Sequence, residues 1–416
     1  MPTVSQSYCF FIVSLLALIS TAITIKPTRI GRLTVPVFFL GWMIGELAWF
    51  HIIWQGLLLG YIMLSDSQQH AFYHLSILML VGSLVGLGKL HFDALKSPRI
   101  FSKAFEVALG ENYLAEIDPQ RREYLAQYIE AKNWLKPFSM RRPGVYKISH
   151  LTYGEDKRHR LDLYCPLVLP EQPCPVLLQI HGGGWVTGAK ENQGLPLVNL
   201  MASKGWICVS INYPLSPKNR FPSHLISVKK AIKWIKTNIA EYGGDPNFIA
   251  VSGGSAGGHL CTLAALIEND PLLQPGFEEV DTKVQACVPF YGIYDFTDRN
   301  HVREKVPILG FLEDQVMPTS FAQDPKLWEM ASPIANVNKN APPTFVIHGT
   351  NDTLVFVEDA RHFVTALRAC SEQTVVYAEL PETQHGFDIF HSLHTESAIN
   401  AVHTFLEYCY SRYLKV

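Results

Sequence analysis

Residues 250–258 read Ala-Val-Ser-Gly-Gly-Ser-Ala-Gly-Gly and hold the pattern Gly-x-Ser-x-Gly centred on Ser255. An apolar run at 248–251 precedes it and another at 260–267 follows. This is the setting of a strand that turns sharply into a helix. At such a turn the serine backbone is strained and its hydroxyl stands clear of the sheet. Its neighbours must be small, because strand and helix nearly collide there. The pattern therefore calls for a sheet with helices packed across it. Five residues are too few to settle this alone, and the rest of the chain has to supply the sheet.

From residue 145 onward strands alternate with helices. Residues 146–153 and 160–165 read as an antiparallel hairpin, and 176–180 as a strand buried on both faces. A helix at 195–203 and a strand at 207–211 follow. Residues 225–242 form an amphipathic helix with Val228, Ile232, Ile235 and Ile239 on one face. Gly243-Gly244-Asp245-Pro246 stops it. Further strands are expected at 284–290, 344–348 and 375–380, with helices at 357–370 and 394–413. The pattern predicts an α/β fold, a mostly parallel, doubly wound sheet of eight strands. A polar insertion at 293–335 falls beyond the carboxyl ends of the strands, where it is expected to act as a lid or helical cap.

The first 90 residues differ in kind. Residues 8–25 are an uncharged apolar run, 35–64 a longer one interrupted by Glu46, His51 and Gln55, and 71–87 a third. A membrane-spanning helix needs about 20 mostly apolar residues. The expectation is about three transmembrane helices in residues 1–90, with the second run tilted, kinked or re-entrant and Glu46 facing other helices rather than lipid. Nothing basic precedes Tyr8, which argues against a cleavable signal. Lys26, Arg29 and Arg32 lie between the first two runs, and Lys89, Lys96, Arg99 and Lys103 follow the third. Both clusters place residues after 88 on the cytoplasmic side of an integral membrane protein. Residues 91–144 read as a helical connector that also covers part of the site, with a helix at 119–135 capped by Asp118 and an apolar spacing of Leu125, Tyr128 and Ile129.

Composition closes off other classes. The net charge of −2 gives no electrostatic case for nucleic acid. Eight cysteines, seven of them scattered through the non-membrane part and none in a C-x-x-C pair, read as reduced core thiols and not as a disulfide framework or a zinc site.

Three further features complete a constellation around Ser255. His181-Gly182-Gly183-Gly184-Trp185 follows the strand at 176–180, and its glycines let backbone N–H groups approach a substrate. Gly183, Gly184 and Ala256 are the expected oxyanion donors. Asp352 follows the strand at 344–348, and His385 follows the last strand. The chain order Ser255, Asp352, His385 is that of an acid–histidine–serine triad on a doubly wound sheet. His181 is expected to position its loop, His259 to pack or cap, and Trp185 and Phe387 either to line an acyl pocket or to pack.

With these motifs in place, residues from about 145 to 416 resemble the hormone-sensitive-lipase-like branch of the α/β-hydrolase carboxylesterases. The likeness rests on His-Gly-Gly-Gly at 181–184 and on Gly-Gly-Ser-Ala-Gly-Gly at 253–258, where Gly254 stands in place of the family's usual Asp. The stretch 239–246 is also similar to isoprenylcysteine methylesterase-like enzymes. The resemblance implies a serine carboxylesterase or lipase acting through an acyl-enzyme on Ser255, with no cofactor or metal. The substrate would be a small-molecule or lipid ester, with membrane lipids around the N-terminal helices. An amidase, an aryl-formamidase or an acyltransferase would share the triad, and an inactive membrane-anchored scaffold would share the fold.

Overall fold

Strands and helices alternate as expected, on one sheet of eight strands. The computed structural model describes residues 4–29, 31–65, 71–125, 129–303 and 308–415. The strands are β1 (Val145–Thr152), β2 (Arg160–Pro166), β3 (Cys174–Ile180), β4 (Ile207–Ile211), β5 (Gly244–Gly254), β6 (Ala286–Phe290), β7 (Thr344–Gly349) and β8 (Val375–Leu380). They lie in the order β1-β2-β4-β3-β5-β6-β7-β8. Only β2 runs against its neighbours; the remaining pairs are parallel. The apolar run of β3 is buried at every residue, because helices cover both faces. Val176, Leu178 and Ile180 pack with the helices Ser223–Asn238 and Ala256–Leu266. On the opposite face Leu177 packs with Leu195–Ser203 and Leu393–Tyr413.

Five longer helices precede the sheet: α1 (Val4–Ile25), α2 (Thr34–Glu46), α3 (Ala48–Met63), α4 (Ala71–Ala94) and α5 (Ser97–Leu109). Among the described residues, two helices are long and apolar enough to cross a membrane, or three if the α2–α3 pair counts as one span. The second apolar run is broken at Leu47, where α2 and α3 meet at 83°. In α4, Gly82 and Gly86 are spaced for close helix contact. A Cβ on Gly86 would come within 2.7 Å of Thr21 Cγ2 of α1, and the Thr21 and Ser83 hydroxyls share a hydrogen bond of 2.8 Å. Beyond α4, α5 packs on the sheet domain, where Phe105 meets the Phe345 ring at 5.2 Å.

One helix differs from expectation. Asp118 does cap a helix start, accepting from Gln120 N–H at 2.9 Å. The helix ends after one turn, however, at Pro119–Arg122, and a second short one runs over Ala131–Trp134. Neither buries a side chain, so nothing beyond the cap favours propagation. Tyr128 lies outside the described residues. The insertion at 293–335 forms short helical turns anchored by the fully buried Trp328.

Candidate active site

The parallel strands β3, β5, β6, β7 and β8 lie side by side, and their carboxyl ends deliver one loop each to the same edge. After β5 comes Ser255, with φ 57° and ψ −122°, a conformation that L residues rarely adopt. Its own N–H holds the turn by donating to Phe290 O at 3.0 Å. The small neighbours are required. A Cβ on Gly257 would fall 2.1 Å from Ile180 O.

The loop after β3 folds back over the elbow. Gly183 has φ 110°, and a Cβ there would lie 2.3 Å from Thr187 O. The N–H groups of Gly183, Gly184 and Ala256 donate to nothing among the described residues, which leaves them open to an incoming oxygen. His181 is fully buried and stacks on Tyr213 at 4.3 Å. Burial lowers its pKa to about 4, so it is neutral at pH 7. Tyr213 donates to His181 O at 3.0 Å. His259 is likewise buried, with Nε2 at 2.7 Å from Ala331 O and its ring stacked on Phe296. Trp185 and Phe387 are buried in aromatic packing, Trp185 against His259 and Phe296 and Phe387 against Phe290 and Tyr291.

Asp352 and His385 meet directly, with His385 Nδ1 2.6 Å from Asp352 Oδ2. The other carboxylate oxygen, Oδ1, accepts from the N–H groups of Leu354 and Val355 at 2.9 and 2.8 Å. Burial opposes ionisation of Asp352, but His385 and His348 beside it more than offset that and hold its carboxyl well below the usual carboxylate range. Gln384 ties the two loops together. Its Oε1 accepts from Thr353 N–H at 2.8 Å and from His385 N–H at 3.0 Å. The Ser255 hydroxyl makes no hydrogen bond to His385 among the described residues, a contact that unliganded sites often leave long.

Tyr291, which belongs to none of the sequence motifs, links the two halves. Its ring packs on His385 at 4.5 Å, and its buried hydroxyl donates to Asp388. A Cβ on Gly254 would lie 2.6 Å from that hydroxyl. The missing Asp at 254 is thereby explained. Tyr291 fills the space its side chain would need, and a carboxylate arrives from the histidine loop instead. The signal in the sequence was a polar aromatic directly after a buried strand.

His150, Asp162 and Glu191 could each offer a ligand atom within 4.8 Å of the others. Lys190 already holds that position. Its buried Nζ donates to Asp162 at 2.8 Å and to Glu191, and lies 3.3 Å from His150 Nδ1. An ammonium there supplies the positive charge that a metal ion would bring.

Comparisons with known proteins agree with this frame. Residues 161–367 match the BD-FAE family model. The probable carboxylic ester hydrolase LipM of Mycobacterium tuberculosis is 50% identical over 263 residues, 63% of this chain and 61% of that protein. Esterase LipQ of the same organism is 46% identical over 64% of this chain and 63% of its own length. The chain thus matches about three fifths of the length of these relatives. Among solved structures, esterase B from Lactobacillus rhamnosis superposes with a TM-score of 0.55 at 19% identity, over 66% of this chain and 90% of that one. That likeness carries the fold. The sheet order, the strand-end loops and these matches together make the chain similar to α/β-hydrolase esterases of the hormone-sensitive-lipase-like branch.

Proposed function

We propose that the protein is a serine carboxylic ester hydrolase of membranes. The observation that carries this reading is the Asp352–His385 pair at 2.6 Å, built at the ends of adjacent parallel strands beside a strained Ser255. His385 takes the Ser255 proton as the hydroxyl attacks the ester carbonyl. Asp352 fixes the imidazole tautomer and stabilises the imidazolium. The free N–H groups of Gly183, Gly184 and Ala256 receive the oxyanion. The alcohol departs with the proton, and water activated by His385 releases the acid from the acyl-enzyme. The esterase names of the relatives support ester over amide substrates.

The same reading divides the chain into a membrane region at 1–90, a helical connector at 91–144 and a catalytic domain at 145–416 with a lid at 293–335. Three spans, α1, the α2–α3 pair and α4, put the amino terminus outside and the catalytic domain in the cytoplasm. Contacts support a common side for both basic clusters and the catalytic domain. Arg29, from the first basic cluster, pairs with Glu358, and Lys89, from the second, pairs with Glu382. Both clusters therefore meet acids of the catalytic domain on one side. The substrate is a lipophilic ester taken from the adjoining leaflet.

Replacing Ser255 with Ala is the test. Turnover of a short p-nitrophenyl ester is expected to fall by several orders of magnitude, on the order of 10⁴-fold or more, with the protein still folded. Unchanged turnover would refute the assignment.

A further inference from the structure

The proposed chemistry assigns the two halves of an ester to opposite sides of the site. The proton that His385 takes from Ser255 must go to the departing oxygen, so the alcohol half leaves beside the imidazole. The acyl half stays on Ser255, beside the Gly183–Gly184 loop. There the Phe311 ring of the insertion lies 3.5 Å from where a Gly184 Cβ would be.

Beside the imidazole stands α2. The Phe38 ring meets His385 edge-on at 6.1 Å. Gly41 permits the closest approach: a Cβ there would lie 3.3 Å from Nε2 of Gln384, the side chain that ties the acid loop to the histidine loop. Trp42 packs on Phe390 at 5.1 Å. At the end of the helix Glu46 is buried, accepting from Ser392 Oγ at 2.6 Å and pairing with His394 at 3.1 Å. Glu46, expected to face the other N-terminal helices, instead has its partners in the sheet domain. Thr34, Val37, Phe38, Gly41 and Ile44 form the buried face. The opposite face, Val35, Phe39, Leu40 and Met43, is exposed and equally apolar. A helix docked by one face on the histidine loop, apolar on the other and turned 83° from α3, joins the site to lipid.

We propose that α2 is the alcohol-side wall of the site and Phe38 its specificity-determining residue. The substrate is an ester of a long or bulky apolar alcohol, whose tail lies along α2 toward the bilayer. The inference rests on the Ser255 ester-hydrolase reading. In the first step the Ser255 oxygen–acyl bond forms, the acyl–alkoxy bond breaks, and the serine proton reaches the alcohol through His385. In the second, water gives its hydroxyl to the acyl group and its proton returns to Ser255.

The test uses full-length protein in phosphatidylcholine–detergent micelles and two ester series. One varies the alcohol (ethyl, butyl and octyl acetate), and the other varies the acid (ethyl acetate, butyrate and octanoate). In the wild type kcat/KM should rise along the alcohol series. Phe38→Ala should lower the octyl-to-ethyl acetate ratio about tenfold and move the octanoate-to-acetate ratio by less than about twofold. Phe38→Trp should shift the optimum to shorter alcohols. Ratios within one preparation do not depend on the folded fraction, so a poorly folding variant still reads out. A flat alcohol series, or equal loss in both ratios for Phe38→Ala, would overturn the proposal. Ser255→Ala, run in parallel, separates the two claims: undiminished turnover there defeats the ester-hydrolase reading itself, whatever Phe38 does.

Discussion

At the scale of single residues, the exchange between Gly254, Tyr291 and Asp388 is the most informative feature. Tyr291 is held between the elbow and the imidazole, so its hydroxyl is a positioning group. Tyr291→Phe keeps the ring packing on His385 and frees Asp388. Initial rates should show kcat falling roughly tenfold with KM little changed, as for a general base held off its best geometry. Gly254→Ala should lower stability by about 1–3 kcal/mol, because the buried Tyr291 has no room to yield. Adding Tyr291→Ala should recover much of that loss, a non-additivity that urea unfolding of the single and double variants can measure. Asp352 gives a pH signature. Its folded-state pKa is depressed, so its contribution to stability is present above about pH 4 and is lost as pH falls through its folded value. The stability gap between wild type and Asp352→Asn should be constant from pH 7 to 5 and narrow below pH 4.

At the scale of elements, close approach at glycines sets how the N-terminal helices meet each other and the domain. Gly86→Leu would drive a side chain into Thr21 and separate α1 from α4. The histidine loop should feel a different wedge. Gly41→Leu pushes α2 off Gln384, and misplacing the Asp352–His385 pair by about 1 Å should cost on the order of 10²-fold in kcat/KM. Gly86→Leu should leave kcat/KM far less affected, since its contacts lie within the helix pair. Comparing the two variants separates loss of helix packing from loss of site geometry. Elements of this kind were legible in the sequence only where period and breaker coincide. The strand at 207–211 and the helix at 195–203 were read to the residue. The bend at Leu47 was not located, because the run stays mostly apolar on either side of it and a change of direction leaves no mark on hydrophobic period. The helix expected at 119–135 failed for the opposite reason: its cap was real, but no buried face sustains it.

At the scale of the whole molecule, α1, α2 and α4 meet the sheet domain beside the acid and histidine loops. Asn351, next to Asp352, donates to the carbonyls of Thr24 and Ile25 at the end of α1, at 2.9 and 3.1 Å. Long-range pairs such as this one, Glu46 with His394, or Tyr291 with Asp388 leave no trace in local pattern, which is why the sequence named the motif residues but not the ones that hold them. Burial also fixes a global acid response. Desolvation lowers the pKa of His181 and His224 to about 4 and of His259 to about 3, against an unfolded value near 6.5. Between those limits the unfolded chain binds more protons, so stability should fall as pH drops from about 6.5 toward 4. Denaturant midpoints at pH 7 and pH 5 should show that loss, and His224→Gln should reduce it.

The central claim is that Ser255 is a nucleophile activated by His385 and Asp352. Covalent capture reads this directly. Incubation of the full-length protein with an alkyl phosphonate ester, followed by peptide mass spectrometry, should find one phosphonyl adduct, on Ser255. The adduct should be absent in Ser255→Ala and formed at least about 10³-fold more slowly in His385→Ala. Labelling of another residue at the wild-type rate, or labelling of Ser255 that is indifferent to loss of His385, would contradict the account.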